Sequence, residues 1–415
     1  MTLMVALPFA GPRWSIWALL GTWFITLSHT GLFAHPPAAG LLRYAVYFVA
    51  FGTLILPVSG RPLQRGSVAL VASTLGIGAV VVLHSFFYSY MPYLSIAKIT
   101  SWTVVVSALW LAWGRLGAEE VRALRLQIFV VLSILLLFSL PLMMTGLGFA
   151  TNGRGFQGLL NHPQAWGLVG AAIMALSSAR LLRGDQKAIL LCTIAFLSTA
   201  ATFASGARTA LVGIAVALAA GAGASTLHAV LAQRRIWRNR AAVAWVFLFM
   251  LVVAALLTPQ VQHAIQSFLG KGDVRQLESF SQIYERSRGG LTGVMNNNIS
   301  RHFYEGIGFG LASVPGTMVV SYDPLFGLPI GASVEKGNVY LGLTEEVGAP
   351  LALLVGAVVA FWAVRGLRCG LVGATIIFFV LAANFAEATF FSMGGMGLLF
   401  MALFTSYATG VEEAR

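Results

Sequence analysis

Apolar stretches recur along almost the whole chain and are separated by short polar or charged connections. Each stretch has about 20 residues, the length at which an α-helix crosses a hydrocarbon core of about 30 Å. The first stretch is too long for the apolar part of a signal peptide, so we expect it to be a retained helix. The twelve predicted spans cover residues 14–34, 41–58, 67–88, 92–113, 126–148, 163–181, 188–204, 209–227, 241–258, 339–364, 371–387 and 390–409. The pattern predicts an all-α, polytopic membrane helix bundle.

Composition excludes a soluble protein, because only 10% of the 415 residues are charged and 58% are hydrophobic. Soluble domains have a charged fraction of about a quarter. The only cysteines, Cys192 and Cys369, offer no disulfide framework. The seven histidines lack the spacing of a metal site. We therefore expect neither a metal nor another cofactor.

The formal net charge of +12 comes mostly from basic residues in every second connection between the predicted spans. If the N-terminus is cytoplasmic, every cytoplasmic connection is basic, which is the pattern of membrane proteins with positive charge inside. These connections hold Arg61, Arg65, Arg115, Arg122, Arg125, Arg180, Arg183, Lys187, Arg234, Arg235, Arg238, Arg240, Arg365 and Arg368. The charge thus indicates orientation, and a nucleic-acid partner is not expected.

One connection, residues 259–338, is far longer than the others and lies outside in this topology. It divides the chain into spans 1–9 in residues 1–258, a large outer loop, and spans 10–12 in residues 339–415. Six basic residues in it are balanced by six acidic ones. Long unstructured connections are uncommon in compact proteins, so we expect a folded, functional loop.

Three arginines break the alternation, because they lie at short outer connections: Arg43, Arg154 and Arg208. A guanidinium at an outer helix end binds phosphate in a bidentate manner, and a helix N-terminus also favours anions. The set indicates a lipid phosphate or diphosphate at the outer leaflet. The alternative for each residue is a side chain that extends to the lipid headgroups.

Other polar residues have two interpretations each. The glycines at 306, 308 and 310 lack a dinucleotide-binding context, since residue 311 is leucine, and they indicate tight turns that let the backbone approach a ligand or helix. Glu345 and Glu346 either face a polar cavity or stabilise a helix N-terminus. His302, like His162, is either a proton shuttle or a structural residue. Lys98 and Glu387 are isolated charges within spans, without an assigned role.

Four blocks, in order, resemble the O-antigen ligase and Wzy polymerase superfamily of bacterial polysaccharide assembly. They are RGFQGLLNHPQAWG from Arg154, SGARTAL around Arg208, Arg288 eighteen residues before GIGFG, and GNVYLGLTEEVGAP ending at Pro350. The span count and the single large outer loop also fit this family.

The resemblance implies a glycosyltransferase of the bacterial inner membrane that works at the periplasmic face without a metal. Its substrate would be an oligosaccharide on undecaprenyl diphosphate, and a polysaccharide co-polymerase and a flippase are implied partners. Arg208 and Arg288 match the arginines that hold the donor diphosphate, and Arg154 would assist them. We assign Glu335 as the nearest general base, with His302 as a second candidate. Further substrate-binding candidates are Arg43, Arg286, His302, Lys336 and Asn338.

One residue departs from the ligase pattern. Ligases of this family typically have histidine directly before the asparagine that corresponds to Asn338, and this chain has Gly337. The departure favours a polymerase that joins lipid-linked repeat units into exopolysaccharide or O-antigen. The alternatives are an O-antigen ligase or protein O-oligosaccharyltransferase, and, from another class, a secondary transporter or flippase of an anionic substrate.

The predicted orientation is tested by labelling single cysteines in a chain whose native cysteines are replaced by serine. We expect Asp273→Cys to react with a membrane-impermeant maleimide in intact spheroplasts, because the large loop is outside. Arg235→Cys, the matched inner position, should react only after the membrane is opened. The reverse pattern would overturn the topology.

Overall fold

The computed structural model describes residues 2–33, 39–56, 62–149, 155–185, 187–231, 280–323, 327, 329–332, 334, 336–385 and 387–411, with backbone alone at 225–231, 280–288 and 330–331. Within these ranges the chain forms thirteen α-helices, short 3-10 turns and one small hairpin. The helices are α1 (Thr2–Ala6), α2 (Pro12–Leu27), α3 (Ala39–Ile55), α4 (Arg65–Tyr88), α5 (Pro92–Arg115), α6 (Ala118–Ser139), α7 (Pro163–Arg183), α8 (Ala188–Ala204), α9 (Arg208–Leu231), α10 (Phe280–Arg301), α11 (Val339–Leu367), α12 (Gly370–Ala383) and α13 (Met396–Ala408).

The predicted helical bundle is confirmed in its coarse form. Five described helices are long and apolar enough to cross a membrane, namely α4, α5, α6 with the turn after it, α7 and α11. Five shorter apolar helices accompany them. Eleven of the twelve predicted spans overlap a described helix, whereas the span at 241–258 lies outside the described residues. The number twelve therefore stays a prediction.

Helix α6 begins at residue 118 instead of the predicted 126. The Glu120 carboxylate accepts the backbone N–H of Gly117 at 2.8 Å and so caps the new first turn. Arg125, which we expected in a cytoplasmic connection, is buried in the helix and donates to the carbonyl oxygens of Ser406 and Val411. Tertiary partners near the C-terminus thus extend the helix beyond its apolar run.

The predicted large outer loop contains regular structure in its described part, and it is not purely helical. Helix α10 is followed by strands β1 (Val320–Tyr322) and β2 (Pro329–Ala332), which pair antiparallel. This hairpin is a small addition to the all-α helix bundle that the sequence predicts. The strands are short, and the rest of the described fold is a helix bundle.

Helix α5 lies against α2, α3, α4 and α13 and forms the centre of the packed core. Its Trp102 stacks on Trp362 of α11 with ring centroids 6.2 Å apart, and Trp110 meets the same ring edge-on at 5.6 Å. Buried indole N–H groups need acceptors. Trp362 donates to Ser73 and Trp110 donates to Thr74, both on α4. These bonds fix the order α4, α5 and α11 in the bundle.

Small residues let neighbouring helices approach closely, as is usual between helices in membranes. A side chain at Gly221 of α9 would meet Thr375 of α12 at 2.5 Å, and one at Gly78 of α4 would meet Thr103 of α5. Lipid tails are as apolar as the helix surfaces, so close packing provides much of the association energy here.

Helix α11 is broken at Gly348, whose φ of 74° and ψ of 159° are not helical. Two residues later, Pro350 has no N–H with which to bond the carbonyl of Glu346. The N–H of Ala349 also leaves the helix ladder and donates to Phe303 at 2.8 Å. The carbonyls of Glu345 and Glu346 are thereby released from the helix.

We expect Gly348→Ala to destabilise the protein, because the backbone conformation favours glycine and an added Cβ would collide with the carbonyl oxygen of Tyr304. Backbone strain alone costs roughly 1–3 kcal/mol. The matched control is Gly356→Ala in the same helix, where no atom lies within 4 Å of the added Cβ. Thermal unfolding of the purified variants should show a lower Tm for the first alone. Equal Tm values would contradict the assigned role of the break.

Candidate functional site

A cavity of about 310 Å³ opens at one end of the bundle. Four of the described helices, α3, α5, α11 and α13, begin beside it, so their first turns or the residues just before them form much of its wall. The hairpin and the glycine-rich segment after α10 complete the wall. Within the described part of the chain, the polar and charged side chains of the lining are those of Arg43, Tyr44, Tyr47, Lys98, Ser101, Lys336, Glu346 and Ser392.

Charged groups from distant parts of the sequence meet in this cavity. Among the described residues, Arg43, Lys98 and Lys336 supply three cations and Glu346 supplies one anion to the lining, and Glu345 adds a second anion beneath it through its ion pair with Lys336. Each helix N-terminus adds the equivalent of about half a positive charge. The electrostatic character of the cavity is therefore suited to an anionic ligand.

Lys336 is neutralised by two carboxylates beneath the cavity. Its Nζ lies 2.7 Å from Oε2 of Glu345 and 2.9 Å from Oε1 of Glu346. The side chains of Lys336 and Glu345 are 1% and 0% exposed. Buried charges persist only when they are paired and hydrogen-bonded. The adjacent glutamates thus form an ion pair with Lys336. The sequence predicted a polar environment for them but did not identify this partner.

The buried carboxylates also hold the segment that follows α10. Asn298 and Ser313 donate to Glu345 at 2.7 and 3.0 Å, and the Gly310 N–H donates to Glu346 at 2.7 Å. The ammonium group of Lys98 donates to the carbonyl oxygen of Gly310. A continuous polar network therefore connects α5, the glycine segment and α11.

The glycines at 306, 308 and 310 allow close backbone contact with helices, as the sequence predicts. Gly306, Gly308 and Gly310 have φ values of 63°, 119° and 70°. The N–H groups of Ile307 and Gly308 donate to the released carbonyls of Glu345 and Glu346 at 2.9 and 2.8 Å. The segment so replaces the hydrogen bonds that the break in α11 removes.

Aromatic rings form the opposite wall of the cavity. The Arg43 guanidinium lies 5.3 Å from the centre of the Tyr44 ring, and the Tyr44 hydroxyl donates to Pro329 of β2 at 3.2 Å. The buried Tyr47 hydroxyl donates to the Met393 carbonyl at 2.8 Å. These bonds attach the hairpin and the segment before α13 to α3.

The structure brings two of the predicted site residues, Arg43 and Lys336, into this cavity. Asn338 caps α11 instead, since its Oδ1 accepts the N–H groups of Tyr340 and Leu341 at 2.9 and 3.2 Å. Arg208 begins α9, and no described residue of α9 lines the cavity. Arg154 and Glu335 lie outside the described residues, as do the side chains of Arg286 and Arg288 on α10.

His302 belongs to a separate polar group on the surface. Its Nδ1 lies 3.0 Å from Oε1 of Glu305, and its Nε2 lies 3.0 Å from the Tyr90 hydroxyl. The hydrogen bond with His302 lowers the pKa of the Glu305 carboxyl below its usual range. The carboxylate orients the imidazole, but His302 does not line the cavity.

Lys98 is a lining charge to which the sequence analysis assigned no role, whereas Glu346 was expected either at a polar cavity or at a helix N-terminus. For Lys98 the available signal was an isolated charge within an apolar span, since such residues are costly unless they serve a site. The sequence did not identify their partners, because Lys98 and Gly310 are separated by 212 residues.

The opposite end of the bundle carries buried and exposed basic residues. Arg125 lies over the Tyr407 ring at 4.2 Å, and Arg180 lies over the Phe129 ring at 4.7 Å. Arg365, in the last turn of α11, donates to Ala408 at 3.4 Å. The cavity and these arginines thus lie at opposite ends of α11.

The chain matches no protein-family model and no curated protein. Its function is therefore inferred from its own residues and their geometry.

We expect Lys336→Met to destabilise the protein by about 3–5 kcal/mol, because it leaves two adjacent buried carboxylates without their cation. Arg122→Met removes the cation of the exposed pair with Glu119 and should cost under about 1 kcal/mol. Chemical denaturation in detergent measures both. Adding Glu345→Gln and Glu346→Gln to Lys336→Met should recover part of the loss, and a triple variant no better than the single one would contradict the ion-pair explanation.

Proposed function

We propose that this protein is a membrane glycosyltransferase that joins undecaprenyl-diphosphate-linked oligosaccharide repeat units into a polymer at the outer face of the bacterial inner membrane. The observation that carries the proposal is the arrangement of the four family-like blocks as two bonded pairs, which α12 connects, at the end of the bundle that contains the cation-lined cavity. Arginines would stabilise the negative charge that develops on the leaving diphosphate.

Backbone contacts support the grouping of the blocks. The Phe156 N–H donates to Ala204, directly before the SGARTAL block, at 3.0 Å. The GIGFG segment bonds to Glu345 and Glu346 of the last block. The N–H of Val339, in that last block, donates to Asn384 at the end of α12, and α12 packs closely on α9, which Arg208 begins.

Charge supports the outward orientation of the site. The basic connections that we assign to the cytoplasm lie at the far end of α11 from the cavity, as Arg125, Arg180 and Arg365 show. Since α3, α5, α11 and α13 all begin at the cavity, each would run inward from the periplasmic face in the predicted topology.

The proposed reaction is a displacement at the anomeric carbon of the donor glycan. A hydroxyl oxygen of the acceptor repeat forms the new glycosidic bond, and the bond from the anomeric carbon to the diphosphate oxygen breaks. The bonding electrons leave with undecaprenyl diphosphate, and the hydroxyl proton passes to a base, for which Glu335 is the candidate. Arg208 and Arg288 would hold the donor diphosphate and stabilise its charge.

A secondary transporter or flippase is the second candidate, and the break in α11 favours it. Discontinuous helices beside a polar cavity are typical of transporter substrate sites. Deletion of the gene in its host separates the candidates through the lipid-linked pool. Loss of a polymerase leaves single repeats on the outer leaflet, loss of a ligase leaves lipid-linked polymer, and loss of a flippase leaves repeats on the inner leaflet.

We expect Arg208→Ala and Arg288→Ala each to abolish polymer formation while the protein level stays unchanged. Lysine at either position should rescue poorly, because a point charge cannot replace the bidentate guanidinium. Arg368→Ala, an exposed position at the opposite end of α11, is the matched control and should keep normal activity. Turnover of synthetic lipid-linked repeats by purified protein measures the effect. Full activity of an Ala variant would remove that arginine from the donor site.

A further inference from the structure

The other end of the bundle contains a second cavity, of about 300 Å³, which we call the N-terminal pocket. It lies where α3 and α5 end and where α2 and α6 begin. Its lining consists of residues 8–14, Thr53, Leu54, Leu116 and Glu120. We propose that the N-terminal pocket binds the headgroup of phosphatidylethanolamine from the cytoplasmic leaflet of the membrane.

Arg13 supplies the positive charge in the described lining of the pocket. It lies in the first turn of α2, and its Nη2 donates to the Gln127 side chain of α6 at 2.9 Å. A guanidinium has five N–H donors, and their planar arrangement matches phosphate oxygens. The bond to Gln127 uses one of these donors and holds the side chain between two helices. Arg13 is therefore positioned for a phosphate beside the pocket.

Glu120 adds a negative charge to the same lining. Its carboxylate accepts the Gly117 N–H at 2.8 Å and caps α6. A carboxylate has about four lone-pair positions, so it can accept an ammonium N–H in addition to the bonds that it already makes. A headgroup with a phosphate and a primary ammonium matches these two charges. A purely anionic headgroup would be repelled by Glu120.

The rest of the lining is apolar, as the glycerol and acyl parts of a lipid require. Phe9 and Trp14 line the pocket and are 65% and 44% exposed, although both are large aromatic residues. Such rings are typical of the boundary between membrane and water. Leu54 and Leu116 are buried in the same lining. The pocket thus joins a polar headgroup site to a surface that suits lipid.

The leaflet follows from the ends of two helices. Arg43 near the start of α3 and Leu94 near the start of α5 line the cavity described above. Thr53 near the end of α3 and Leu116 directly after α5 line the N-terminal pocket. The two spaces therefore lie at opposite ends of these helices, and the pocket is at the cytoplasmic end in the predicted topology. This inference does not depend on the proposed transfer reaction.

Lipid binding is tested with the full chain purified in detergent, by the Tm and by titration with phosphatidylethanolamine, phosphatidylglycerol and phosphatidylcholine. A ligand that binds only the folded protein raises its Tm. We expect the largest rise and the tightest binding with phosphatidylethanolamine. Phosphatidylglycerol has no positive charge, and the quaternary ammonium of phosphatidylcholine has no N–H for Glu120. Equal effects of the three lipids would overturn the headgroup assignment.

Two variants separate the two charges. Arg13→Gln should weaken phosphatidylethanolamine binding tenfold or more, because it removes charge-assisted hydrogen bonds to the phosphate. Glu120→Gln keeps an oxygen that can cap α6, and it should remove the preference for phosphatidylethanolamine over phosphatidylglycerol. The matched controls are Glu119→Gln and Arg368→Gln, at exposed positions outside the pocket lining, and neither should change binding. Unchanged affinity in Arg13→Gln would overturn the site.

A change in stability does not imitate this result, because the ratio of the two lipid affinities is measured within each variant. Arg13→Lys, which keeps the positive charge, should bind phosphatidylethanolamine more tightly than Arg13→Gln. Equal affinity of these two variants would contradict a role for the charge. O-phosphoethanolamine, the soluble headgroup, is the last probe. If it binds as tightly as the lipid, the pocket takes a free metabolite and the lipid assignment is wrong.

Discussion

The break in α11 is the constraint on which the candidate site depends. A helix that crosses a membrane must satisfy all its backbone polar groups within the protein. Gly348 and Pro350 release the carbonyls of Glu345 and Glu346, and the N–H groups of Ile307 and Gly308 replace the missing donors. The segment after α10 is consequently part of the bundle, and it carries Gly310 to the edge of the cavity.

The buried ion cluster uses the same two glutamates through their side chains. Desolvating charges is costly, and an ion pair often contributes little net stability compared with apolar packing. The cluster of Lys336, Glu345 and Glu346 nevertheless determines one arrangement, because each carboxylate also accepts a hydrogen bond from the loop. Its effect is to hold the loop, α11 and, through Gly310, Lys98 in one register.

The sequence alone determined the helical class, eleven helix positions and the glycine turns. The length of an apolar stretch and the preference for glycine at positive φ are both local properties of the chain. It also located Glu345 and Glu346 at a polar helix end. The tertiary structure decided the start of α6, the hairpin and the meeting of Arg43, Lys98 and Lys336. Their convergence depends on which helix ends pack together, and that choice rests on contacts between residues up to a few hundred positions apart, such as Trp102 with Phe390 and Trp362 with Ser73.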